Sequence, residues 1–293
     1  MAVRKPYLAG VYIVFILIYW HCNMKKLYIL KIGGSVATYK DSTDHTIRQD
    51  LLTSIFTEIA TLQTTRNFDL LIVHGAGGHV HHLAHTHGLK TGTFDDPIKV
   101  AGALETQNAV ATLHAEIIKL GTTAGLPLAS IPTHTVIGQS DAKIDSCDTS
   151  GITAALEQNK IPVLYGDMVE DSTLGMSICS GDAVTAHLAT LLPVTHIFFA
   201  TDVDGIYTTD PHTNPDTTLV ENLTFAKMES MITLTESHNA DTTGGLQGKM
   251  KECTQLFNTS PTLEEIHVFN GLTETNYHRI LTAVPFPHTC IVT

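Results

Sequence analysis

Apolar residues along this chain fall into short unbroken runs rather than alternating with polar ones. The runs are "LYILKI" (27–32), "DLLIV" (69–73), "LPLASI" (126–131), "IPVLY" (161–165), "HIFFA" (196–200) and "EIHVFN" (265–270). A strand buried on both faces reads this way, whereas a half-solvated strand alternates. Helical patterns lie between the runs, near 48–62, 100–120, 150–158, 181–191 and 247–257. Strands alternating with helices predict an α/β fold, with a mostly parallel sheet covered on both faces. Ligands of such sheets gather beyond the carboxyl ends of the strands. Glycine-rich stretches stand at those ends here, "GGS" after the first run and "HGAGG" after the second. The turn-rich stretch "TTDPHTNPDTT" (208–218) is a loop. There is no tandem repeat and no low-complexity linker.

With 293 residues, 43% hydrophobic and 16% charged, the chain can bury a sizeable core. A net charge of −12 argues against a broad nucleic-acid surface but leaves room for a local basic pocket. Five cysteines, an odd number without a CxxC pair, fit a reduced, cytoplasmic setting. The exception is "YLAGVYIVFILIYW" (7–20), with Arg4 and Lys5 before it and Lys25 and Lys26 after it. It is short of the ~20 apolar residues of a membrane span, and "IYWHCNM" offers no small-residue cleavage site. Met24 opens "MKKLYILKIGGS", a natural start for the first strand. Residues 1–23 therefore read either as an upstream extension from a misassigned start or as a membrane anchor. Residues 24–293 read as the folded domain.

The chemistry gathers on glycine turns. Lys31 ends the first strand and is followed by Gly33, Gly34 and Ser35. Lys249 stands in a third glycine turn, "GGLQGKM". Glycines let backbone N–H groups approach a phosphate closely. No standard nucleotide motif is present: Val80 breaks a dinucleotide fingerprint, and Met250 a Walker A loop. Lysines on glycine turns are nonetheless the equipment of phosphoryl transfer, where catalysis is positioning plus charge neutralisation. Asp182 in "SGDAV" reads first as a helix N-cap. Asp202 and Asp204 in "TDVDGIY" read as a turn with Gly205 supplying its unusual dihedral, or as nucleotide contacts. His81 and His85 are one helical turn apart, but no cysteine or carboxylate joins them and HExxH is absent. No metal site is expected there, and His82, His85 and His87 read as surface residues.

In their order, "LKIGGSVATYK", "VHGAGGHVHHLA", "IPVLYGDMV", "CSGDAVTAHLA", "ATDVDGIYTTDP", "TGGLQGKM" and the final "FNG" resemble the amino acid kinase superfamily. Within it they resemble the isopentenyl phosphate kinases, over nearly all of the chain from Met24 onward. The resemblance implies an open α/β/α sandwich with the acceptor on the N-terminal half and ATP on the C-terminal half. It implies ATP-dependent phosphorylation of isopentenyl phosphate, with Mg2+, in a homodimer. Lys31, Lys40, His81 and Lys249 would be catalytic. Lys31, Gly33, Gly34, Ser35, Gly77, Asp202, Tyr207, Gly245 and Lys249 would meet ATP. Ala76, His81 and Gly166 would meet the acceptor. Val100, Leu104, Val110 and Leu113 would flank the isoprenoid tail. The chain departs from the pattern at Ala76, which replaces a glycine, and at Val80, where glycine is common. His79 and His82 flank His81, so its register is open by one residue. The alternatives are a same-fold kinase for a phosphonate such as fosfomycin or for an amino-acid carboxylate, and a non-catalytic regulatory member of the fold.

Overall fold

The computed structural model describes residues 25–39, 46–62, 65, 67–209, 211, 214, 216–227 and 256–292. The first half of the chain forms β1 (Lys26–Ile32), α1 (Gly34–Ala37), α2 (Gln49–Thr61), β2 (Phe68–His74), α3 (Gly77–Thr86), α4 (Pro97–Thr123), β3 (Leu128–Ser130), β4 (Ile137–Ser140) and β5 (Lys143–Cys147). The second half adds α5 (Ser150–Glu157), β6 (Ile161–Tyr165), β7 (Asp167–Asp171), β8 (Gly175–Cys179), α6 (Gly181–Leu191), β9 (Val194–Thr201), β10 (Asn222–Thr224), β11 (Glu265–Asn270), α7 (Asn276–Leu281) and β12 (Thr289–Val292).

Eight strands form one sheet in the order β10-β12-β11-β9-β1-β2-β6-β3. Its neighbours are parallel except β11 and β12. The continuous apolar runs are explained by what covers each face. Successive side chains of a strand point to opposite faces. Ile29, Leu71, Val73, Ile197, Phe199 and Ile266 pack on one side with Ile152 of α5 and Val184 and Leu188 of α6. Leu30, Ile32, Leu70, Ile72, Phe198 and Phe269 pack on the other with α2, α4 and α7, through Leu52, Phe56, Ile117 and Tyr277. The three expected layers are present. Where described, the expected strands and helices lie within a few residues of their predicted bounds, although "LPLASI" shrinks to the edge strand β3. The helix expected near 247–257 falls mostly outside the described residues, as do residues 1–24.

A second sheet, β5-β4-β7-β8, is not among the predicted elements. Its strands are short, and those of the first hairpin are half-exposed. Asp171 organises it. Its carboxylate accepts the amides of Asp141 (3.1 Å), Ala142 (2.8 Å), Thr173 and Leu174 (both 2.9 Å), and the Ser177 hydroxyl (2.7 Å). Burial alone would raise its pKa, but these donors outweigh it and hold the carboxyl well below the usual carboxylate range. Among the described residues no helix is long and apolar enough to cross a membrane.

Candidate active site

At the carboxyl edge of the main sheet, each turn is pinned to the neighbouring strand. The Gly33 amide donates to the Ala200 carbonyl (2.9 Å), Gly75 to Ile32 (2.9 Å) and Gly166 to His74 (3.0 Å). The loops then nest backbone on backbone. A Cβ added at Gly75 would stand 2.5 Å from the Gly34 nitrogen, one at Gly34 2.9 Å from the Gly77 nitrogen, and one at Gly166 2.8 Å from the Gly181 nitrogen. Gly77 opens α3 at φ +81°, and a Cβ there would also strike Thr38 at 2.6 Å. Only glycine suits that position. The first-turn amides of a helix have no intrahelical acceptor, so the ten-residue α3 presents donors beside these loops.

Lys31 projects from the end of β1 into this edge and is 5% exposed. Its Nζ lies 2.7 Å from Asp182 Oδ1, in the first turn of α6. An ammonium so buried needs a counter-charge. The N-cap expected of Asp182 is supplied instead by Ser180, whose hydroxyl oxygen accepts the Ala183 amide at 3.0 Å. Asp182 is left to hold Lys31.

The histidines of α3 separate by face, as residues 100° apart on a helix must. His81 stands at the exposed rim, yet surrounding protein mass and the Lys31 charge hold its pKa below the ordinary 6.5. Lys31 and His81 thus share one electrostatic space. His79 lines a recess of about 230 Å³ with Thr38, Ile47, Ala76, Val80 and Ala109. His82 and His85 are exposed. Val80 is buried against Ala109, Val110 and Tyr165, with Ala76 packed alongside. The two departures from the glycine pattern therefore fill one apolar cluster, and the Ala76 side chain meets that cluster and the recess. Of the apolar residues expected around a tail, Val110 and Leu113 lie in core clusters and Leu104 is 47% exposed.

Residues 26–270 match the model of the amino acid kinase family. The isopentenyl phosphate kinase of Methanothermobacter thermautotrophicus is 34% identical over 229 residues, covering 76% of this chain and 84% of that protein. That of Methanocaldococcus jannaschii is 31% identical, covering 76% and 85%. A solved isopentenyl phosphate kinase structure superposes with a TM-score of 0.76 at 29% identity, over 91% of this chain and all of that one. This chain belongs to the isopentenyl phosphate kinases of the amino acid kinase family.

In this family member the second glycine turn rests on two buried histidines, tied to a surface serine, that the sequence did not reveal. His74 Nδ1 lies 3.0 Å from the Gly75 carbonyl oxygen, His74 Nε2 3.0 Å from His114 Nδ1, and His114 Nε2 2.8 Å from the Ser130 hydroxyl. A carbonyl only accepts, so His74 donates from Nδ1. His114 then donates to His74, and Ser130 donates to His114. Burial pushes the pKa of His74 to about 3, helped by His114 and only partly offset by the Gly75 bond. Burial alone takes His114 to about 4. Both rings are therefore neutral at pH 7, and every tautomer is set. Tyr165 stacks on His74 with centroids at 5.3 Å and lies tilted against His114 at 4.4 Å.

Beyond β9, Asp204 accepts from the Tyr207 hydroxyl at 3.1 Å and from Asn270 Nδ2 at 3.0 Å, joining the ends of β9 and β11. Asp202 is half-buried in the same turn. Gly205 does not have the positive φ expected of it. It is glycine because a Cβ would run into Thr289 and Leu219. Ser35 lies in α1, and its carbonyl accepts from Arg48 Nε at 3.3 Å. Lys40, Gly245 and Lys249 lie outside the described residues.

Proposed function

We propose that this chain transfers the γ-phosphoryl group of ATP to the phosphate of isopentenyl phosphate, giving isopentenyl diphosphate and ADP. The observation that carries the reading is the buried Lys31, held 2.7 Å from Asp182 beside the nested glycine turns at the carboxyl edge of the sheet. The acceptor phosphate, with a second pKa of about 6, is already an anion near neutral pH and needs no strong base. Its oxygen forms a bond to the γ-phosphorus as the bond to the β,γ-bridging oxygen breaks. The task is to hold two mutually repelling anions in line. Lys31, released from Asp182, meets the transferring group. Gly34, Ser35 and Gly77 give their amides to the phosphates, and Gly33, whose own amide is bonded to Ala200, lets the turn pass close beside them. His81 donates to the acceptor phosphate beside Gly166 and the Ala76 backbone. Asp202 and Tyr207 reach the nucleotide, and Lys40, Gly245 and Lys249 take the family roles assigned to their motifs.

A divalent cation, Mg2+ in this reading, neutralises the triphosphate. The groups around the turns after β1 and β2 are an ammonium, an imidazole and amides beside one paired carboxylate, Asp182. That donor set suits an ion carried by the phosphates rather than one caged by protein oxygens. The apolar cluster of Ala84, Leu89, Ala103 and Met168 begins one helical turn beyond His81 and suits an isoprenoid tail, with Met176 an adaptable filler. An ADP-release assay across isopentenyl phosphate, dimethylallyl phosphate, fosfomycin and glutamate tests the reading. Preference for the prenyl phosphates supports it, and preference for fosfomycin or glutamate overturns it.

A further inference from the structure

A second cluster of chemically able side chains lies at the other end of the sheet. β9, β11 and β12 are neighbours, and Glu265 is in register with His196 while His267 stands directly across from Cys290. Five residue steps of extended chain, about 16 Å at the usual rise, separate Glu265 from Asn270 at the active-site edge. One donor atom each from Glu265, His267 and Cys290 lies within 4.8 Å of the others. His267 is 8% exposed. Its Nε2 donates to Glu265 Oε2 at 2.9 Å, which leaves Nδ1 unprotonated in the neutral ring. That nitrogen is buried and has no hydrogen-bond partner. An ion beside Glu265 takes the ring through Nε2, with the ring proton moved to Nδ1, because Nδ1 opens on the far side of the ring from that carboxylate.

We propose that Glu265, His267 and Cys290 form a binding site for a divalent transition-metal ion of the zinc type, separate from the phosphotransfer site. The donor set of thiolate, imidazole and carboxylate suits Zn2+ or Co2+ better than Mg2+, which takes oxygen ligands. Tetrahedral coordination at about 2.0–2.3 Å places ligand atoms roughly 3.3–3.8 Å apart. A pair at the 4.8 Å limit must close by about 1.5 Å, while the His267–Glu265 pair at 2.9 Å must open slightly. The half-exposed Glu265 and Cys290 can supply that through side-chain rotation, and their exposure provides the entry path. Three adjacent paired strands hold the backbone fixed.

Charge favours occupancy. One carboxylate and one thiolate balance a dication, so the bound cluster is neutral. The thiol is protonated beforehand, because burial and the Glu265 charge push its pKa up to about 11. Binding forms a metal–sulfur bond, and that proton leaves to solvent. His196 Nε2, 3.7 Å from Glu265, and His288, whose ring centroid is 5.3 Å from that of His267, wall the site. His288 donates from Nδ1 to the Phe286 carbonyl at 2.9 Å, leaving its Nε2 as an acceptor. Among the described residues this is the one such group of donors.

The test is titration of the full chain, freed of any histidine tag and chelator-treated, with Co2+ followed by Zn2+. The expected result is uptake of one equivalent of Co2+, with a thiolate-to-cobalt charge-transfer band in the near ultraviolet and tetrahedral bands in the visible. Zn2+ abolishes both bands. Cys290→Ser removes the charge-transfer band, while Cys147→Ser keeps it. Glu265→Gln weakens Zn2+ binding by roughly tenfold or more, the scale seen for groups that support a metal site. If Cys290→Ser fails to fold, Glu265→Gln carries the test, since that side chain is 39% exposed. Uptake without a thiolate band overturns the proposal, because surface histidines would account for it. A band that survives in Cys290→Ser, or Zn2+ affinity unchanged in Glu265→Gln, also overturns it.

Discussion

Asp182→Asn keeps the shape of the side chain and removes the charge that faces Lys31. The Lys31 side chain is 7% exposed, so the variant strands a cation in the protein. Breaking a fully buried pair from one side costs about 3–5 kcal/mol. The Asp182 side chain is 20% exposed, and solvent reaches the pair from the site, so a loss of about 2–3 kcal/mol is expected. For a domain of this size that lowers Tm by roughly 5–10 °C. The loss is expected in the free protein alone. A bound triphosphate supplies the missing anion, so a non-hydrolysable ATP analogue with Mg2+ raises Tm more in the variant than in the wild type. Lys31→Met combined with Asp182→Leu leaves no buried charge. It is expected to recover most of the stability while turnover falls at least tenfold. Thermal unfolding of the three proteins with and without the analogue checks this. An Asp182→Asn variant with wild-type Tm and a wild-type analogue response would refute the view that this carboxylate is the resting partner of Lys31.

Gly75→Ala puts a methyl 2.5 Å from the Gly34 nitrogen and 2.9 Å from its Cα. Neither backbone atom can swing aside, so a destabilisation of about 1–3 kcal/mol or more is expected by denaturant titration, with at least tenfold weaker nucleotide binding. Acid sensitivity follows from histidines held neutral, since folded pKa values of about 3 for His74 and about 4 for His114, His196 and His267 lie below the unfolded 6.5. Their contribution is complete above pH 6.5 and is lost as pH falls towards 4, because the unfolded chain then binds protons the native state refuses, at up to about 1.4 kcal/mol per pH unit for each group. Tm measured from pH 7 to pH 4 should fall along that limb, and His114→Phe, which removes one such group and keeps the ring, should flatten it.

The layers of the fold were legible because both faces of the main sheet are covered, which forces every central strand to read as one apolar run. Lys31 was legible as a charge at the end of such a run. The β4–β5 and β7–β8 hairpins were not, because their short strands carry no long run and depend on the single carboxylate of Asp171. The partner of Lys31 was hidden for another reason. A carboxylate at the start of a helix reads as a cap until Ser180 is seen to do the capping. The His74–His114–Ser130 chain is likewise invisible in sequence, since its order depends on which carbonyl the first ring meets. The histidine register was open by one residue in "GHVHH". In the structure His79 lines the recess and His81 stands at the exposed rim, where the choice between them rests on the proposed acceptor contact.

The most direct test of the account is steady-state kinetics with isopentenyl phosphate for the wild type, His81→Ala and His82→Ala at saturating ATP. A histidine that donates to the acceptor phosphate contributes a charge-assisted hydrogen bond of about 1.5–3 kcal/mol, or roughly 10- to 150-fold. The account predicts that kcat/KM for isopentenyl phosphate falls by at least tenfold in His81→Ala, with the KM for ATP little changed, while His82→Ala stays within about twofold of wild type. A fully active His81→Ala, or equal losses in the two variants, would contradict it.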